Sequence, residues 1–95
     1  MPYYIPMSWT VRVNKKAAKR AKTMPKNTQS IFDALVRDLM ITGPVQAEWP
    51  NYSKLPGGRH HCHLTYSFVV VWEVVENELR ILEVLYVGSR EDAPY

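Results

Sequence analysis

Hydrophobic and polar positions change period several times along this chain, and each change marks an element. In Ser8-Trp9-Thr10-Val11-Arg12-Val13 apolar and polar residues alternate, with Trp9, Val11 and Val13 on one face, which predicts a half-buried strand. Tyr3-Tyr4-Ile5 and Met7 extend this β-rich opening. Asn14 suits the N-cap of a short helix over residues 15 to 22, where Ala17, Ala18 and Ala21 form a narrow small-residue face among lysines; Pro25 ends it. A second helix is expected from Asn27 or Thr28, because Ile31, Leu35 and Leu39 recur at every fourth position with Phe32, Val36 and Met40 beside them. So wide a stripe packs on a sheet, and Gly43-Pro44 stops the helix.

Residues 44 to 58 contain three prolines and two glycines and predict a loop that wraps the globule, anchored by Trp49. Three strands follow, roughly over residues 59 to 65, 67 to 75 and 79 to 88, joined by turns at Thr65-Tyr66 and Glu76-Asn77-Glu78. The middle one, Phe68 to Val75, is apolar on both faces until Glu73, as suits a central strand covered by the helices. The expected fold is α+β in the order β-α-α-β-β-β: an antiparallel sheet of about four strands with two N-terminal helices packed on one face. At 95 residues the chain, 1 to 95, is expected to be one domain.

Charge changes this picture more than composition does. Seven of the twelve basic residues precede the first acid, Asp33, so the first third is cationic although the net charge is only +3. Such a block commonly meets phosphates, and Lys15, Lys16, Lys19 and Arg20 are its candidate contacts; a solvated helix face is the plainer alternative. Cys62 is the single cysteine, which excludes an internal disulfide and fits a reducing compartment. The start lacks a basic segment followed by an apolar run, and the longest apolar stretch, Phe68 to Trp72, is too short for a bilayer. A cytoplasmic protein with no membrane partner is expected.

The candidate chemistry lies late in the chain. Residues two apart on a strand share a face, so His61 and His63 should look out together while Cys62 turns inward. Histidine titrates nearest neutral pH, so one imidazole can accept a proton while its neighbour donates one. RNA cleavage by internal attack needs that pair together with a cation on the phosphorane, which Arg90 would supply, with Arg59 as the second candidate. Tyr95 could stack on a base or bond the phosphate, and Lys54 could hold the backbone. A zinc site at His60, His61 and His63 is the competing reading, but no Cys, Asp or Glu nearby in sequence completes a tetrahedral set, and neither metal nor cofactor is called for. Cys62 inside a strand reads as a small buried hydrophobe rather than a nucleophile.

Four segments in register, Trp49-Pro50-Asn51-Tyr52-Ser53-Lys54-Leu55, His61-Cys62-His63-Leu64, Val71-Trp72-Glu73-Val74 and Tyr86 to Tyr95, give the chain a pattern that resembles the RelE/ParE toxin superfamily of toxin–antitoxin systems. The resemblance spans nearly the whole chain. It implies a metal-independent endoribonuclease that cuts messenger RNA on the ribosome, with His61 and His63 where RelE-like members carry alternating basic residues, Arg90 at the late basic position and Tyr95 at the late base-stacking tyrosine. It also implies a small cognate antitoxin as partner. RelE-like members have a further arginine on the central strand, whereas Ser67-Phe68-Val69-Val70 has none, leaving Arg59 on the neighbouring strand to fill its place. Two alternatives stay open. One is a ParE-like poison of DNA gyrase, which needs no acid/base pair; the other is a nucleic-acid-binding module whose catalytic face has decayed.

Overall fold

A computed structural model describes residues Ser8 to Tyr95; the expected strand contribution of Tyr3 to Met7 lies outside the described residues. The elements run β1 (Thr10–Val13), α1 (Lys15–Thr23), α2 (Lys26–Thr42), β2 (Ser53–Leu55), β3 (Arg59–His63), β4 (Phe68–Glu76) and β5 (Ile81–Ser89), followed by a 3₁₀ turn at Arg90–Asp92. Among the described residues five strands form one sheet in the order β1-β5-β4-β3-β2, and both helices pack on one face of it.

The α+β class and the helix placement agree with the sequence reading, while the sheet differs in two respects. It has five strands rather than about four, because Ser53–Leu55 pairs with β3 from inside the segment read as a loop. Three residues between proline-rich flanks are too few to show a period of two. The sheet is also mixed rather than wholly antiparallel: β1 runs parallel to β5, with Thr10 opposite Ile81 and Val13 opposite Val84. Pairing between segments some seventy residues apart leaves no local signature in either.

Asn14 caps α1 by accepting the Ala17 N–H at 2.8 Å, and its side-chain amide donates to the Leu85 carbonyl of β5 at 3.2 Å. One residue thus starts the helix and ties it to the sheet. At the other end of α2, Gly43 adopts φ +90, and a Cβ there would come within 2.6 Å of the Trp9 indole nitrogen, so glycine is required twice over. The loop anchors are hydrogen bonds: Trp49 Nε1 donates to Asp38 Oδ2 on α2 at 2.8 Å, and Trp72 Nε1 donates to the Pro44 carbonyl at 2.9 Å.

The main core lies between helices and sheet, with Ala17, Phe32, Leu35 and Leu39 against Cys62, Val70, Trp72, Leu82, Val84 and Val87. A second, small cluster of Val69, Val71 and Tyr86 occupies the opposite face, with Leu55 and Ala93 packed on it. After β5 the chain therefore turns back across the face away from the helices.

Candidate active site

The site is built on that helix-free face. In β3 the register sets His61 opposite Val71 and His63 opposite Val69, residues of the small cluster, whereas Cys62 pairs with Val70 of the main core. His61 and His63 accordingly share the helix-free face, their ring centres 5.7 Å apart. Tyr95 reaches them from the far end of the chain, its ring centre 4.7 Å from that of His61. What carries it there is the turn at Arg90, whose N–H donates to the Ser67 carbonyl at 2.9 Å, and Ala93, which packs on Val69, Val71 and Tyr86.

Ser53 of β2 stands directly opposite His61, and its Oγ lies 3.0 Å from His61 Nδ1. With Nδ1 engaged, the free ring nitrogen is Nε2. Burial lowers the pKa of His61, a shift opposed by a hydrogen bond to the Ser53 backbone. His63 is also lowered, first by burial and then by the positive charges of His61 and Arg90. Arg90 is therefore close enough to act on His63 electrostatically, and its guanidinium carbon sits 4.7 Å from the ring centre of Tyr66. Burial raises the phenol of Tyr95, with Arg90 opposing.

Two further groups border the site. Tyr86 lies across Gly88 and donates its hydroxyl to the Ser89 carbonyl at 2.7 Å; a Cβ on Gly88 would stand 2.9 Å from that hydroxyl oxygen. Arg20 of α1 covers the Tyr86 ring at 5.0 Å, so one cation of the basic helix reaches this face.

Arg59 shares the face of His61 but its Nε lies 3.9 Å from Glu73 Oε1, an exposed pair. Lys54 stands opposite His60, hence on the other face from His61 and His63. Lys15, Lys16 and Lys19 are exposed on α1. His60 is buried on the helix side, stacked on Trp72 and 2.7 Å from the Tyr52 hydroxyl, so the three histidines do not converge. Ser53, Tyr66 and Tyr86 were not picked out from the sequence. Ser53 could have been found only by recognising β2 as a strand and fixing its register.

Neither a family model nor a curated protein matches the sequence. Solved structures do match. A chain of the archaeal RelE–RelB complex from Pyrococcus horikoshii superposes with a TM-score of 0.72 at 17% identity, over 92% of this chain and 100% of the other. It has the fold of the RelE/ParE toxin superfamily. Isolated RelE toxin from Escherichia coli gives a TM-score of 0.70 at 17% identity over 90% and 88% of the two chains. A metal-bound toxin from Helicobacter pylori gives 0.69 at 22% identity over 88% and 97%.

Within this RelE/ParE fold the site residues come from β2, β3 and the segment after β5, and His61 and His63 lie on the side of Val69 and Val71, away from the core shared with the helices. Chemically the arrangement offers two imidazoles whose pKa values burial lowers, one guanidinium able to meet an anion, and aromatic rings on either side.

Proposed function

We propose that this protein is the toxin of a toxin–antitoxin pair and acts as a metal-independent endoribonuclease on messenger RNA held by the ribosome. The observation that carries the reading is the His61/His63 pair on the helix-free face, with Tyr95 against one ring and Arg90 acting on the other.

In this scheme Nδ1–H of His61 donates to Ser53, which leaves the Nε2 lone pair to take the proton of a ribose 2′-OH. The 2′-oxygen attacks the adjacent phosphorus, and His63 donates a proton to the departing 5′-oxygen. The products are a 2′,3′-cyclic phosphate and a free 5′-OH. Arg90 neutralises charge on the phosphorane. Burial is the main cause of the lowered His63 pKa, with His61 and Arg90 adding to it; phosphate binding at Arg90 offsets the Arg90 part, so substrate itself shifts His63 toward the protonated acid. Lys15, Lys16 and Lys19, exposed on α1, would meet ribosomal RNA.

The partner in this reading is a small antitoxin that covers the basic surface. Among the matched structures are a RelE–RelB complex and a YoeB–YefM complex from Staphylococcus aureus, which support it.

The test is to induce wild type and the His61→Ala/His63→Ala double variant in cells and map message 5′ ends within minutes. Cuts confined to translated transcripts, and missing in the variant, are expected. Soluble wild-type protein that makes no new cuts overturns the nuclease reading.

A further inference from the structure

A cleft adjoining His63 plays no part in the two proton transfers. Its volume is about 320 Å³, and Pro50, Asn51, His63, Thr65, Tyr66 and Arg90 line it. Both walls are pinned by backbone hydrogen bonds. His63 N–H donates to the Pro50 carbonyl at 2.8 Å, which fixes the turn carrying Asn51; Leu64 N–H to the Phe68 carbonyl, also 2.8 Å, and Arg90 N–H to the Ser67 carbonyl fix the turn carrying Tyr66.

Tyr66 is an unusual wall. It is 81% exposed, joins neither hydrophobic cluster among the described residues, and has the Arg90 guanidinium over its ring. A large ring left in water adds no apolar burial to the fold, whereas an aromatic platform beside a cation suits a flat ring that carries a phosphate. Asn51, exposed at φ +55 on the opposite wall, brings an amide with both a donor and an acceptor.

The geometry points to a nucleobase subsite for single-stranded RNA: the base just downstream of the cut bond stacks on Tyr66, Arg90 holds its phosphate and Asn51 meets its edge. The side follows from the chemistry, since His63 serves the departing 5′-oxygen, which belongs to the downstream nucleotide. This assignment rests on the nuclease reading for its direction only; the stacking stands apart from it.

The probe is a short RNA with 2′-O-methyl at the cut position, which cannot be cleaved, and 2-aminopurine either upstream or downstream of it. It is used free and as the message on programmed ribosomes with the full-length protein. Wild type is expected to quench the downstream probe; Tyr66→Ala should abolish that quenching and weaken binding about tenfold, while Tyr66→Phe keeps both. The upstream probe should be indifferent to Tyr66. Absence of quenching by wild type in both settings, or quenching unchanged in Tyr66→Ala, overturns the subsite, and the second result leaves Tyr66 as a contact for a protein partner instead. Because the probe is never cut, Tyr66-dependent quenching without cleavage of cellular messages overturns the nuclease reading and keeps the subsite, while the converse keeps the nuclease and removes the subsite.

Discussion

Ser53 Oγ stands 3.0 Å from Nδ1 of His61, across the β2–β3 ladder that sets the two residues opposite each other. This pairing decides which imidazole nitrogen is free, and it rests on an edge strand of only three residues. Ser53→Ala should lower RNA cleavage about tenfold, the equivalent of one ordinary hydrogen bond, and move the acidic limb of the pH–rate profile, while Ser53→Thr restores both. Single-turnover cleavage at several pH values checks this. An unchanged profile would mean that Ser53 only closes the strand.

His61→Ala and His63→Ala should each reduce cleavage by about 10²–10⁴-fold with the far-UV spectrum intact, because positioned acid/base groups are worth that much. Double substitution should cost little beyond the worse single change, since the two act in one concerted transfer. Strict multiplication of the two losses would argue against a shared step.

Stability should fall in mild acid. His60, His61 and His63 all have folded-state pKa values below the usual one, with burial the leading cause in each. The unfolded chain therefore binds these protons more readily, so the stabilisation is present above about pH 6.5 and is lost as pH falls through the lowered values. Thermal melts from pH 7.5 to 5 should show a declining midpoint, and a smaller decline in His60→Gln. A midpoint flat over that range would contradict the burial of these rings.

Cys62 should behave as a packing residue. It is fully buried, and burial pushes its thiol up to about 12, so almost no thiolate exists near neutral pH. Thiol reagents should label it slowly in the native protein and at once in denaturant. Cys62→Ala should leave cleavage unchanged, and loss of activity in a folded variant would reopen a role for the sulfur.

Gly88→Ala should disturb the site from beneath. Its Cβ would approach the Tyr86 hydroxyl oxygen to 2.9 Å and the ring carbon behind it to 3.1 Å, and that hydroxyl is held by Ser89. Overpacking of this kind costs about 1–3 kcal/mol, readable as a lower denaturation midpoint. Tyr86→Phe alone, which keeps the ring and loses only the bond, should cost about 1 kcal/mol.

The sequence by itself determined the local features. The alternation around Val11, the Asn14 cap, the Leu35–Leu39 stripe and the Gly43 stop are each written in residues a few positions apart, and periodicity reads such patterns directly. The shared face of His61 and His63 belongs to this class, since spacing by two fixes it wherever the strand sits. What depended on distant partners was decided by the tertiary structure. The parallel pairing of β1 with β5, the register that brings Ser53 to His61, and the return of the chain end that lays Tyr95 on His61 all join segments with no local mark of their meeting. Tyr86 shows the reason most plainly. Strict alternation along β5 would place it on the side of Leu82 and Val84 in the main core, but the register shift between Val71 and Trp72 inserts Leu85 and turns Tyr86 to the face of the histidines. A bulge exists only in relation to a partner strand, so the face that Tyr86 takes is a property of the assembled sheet.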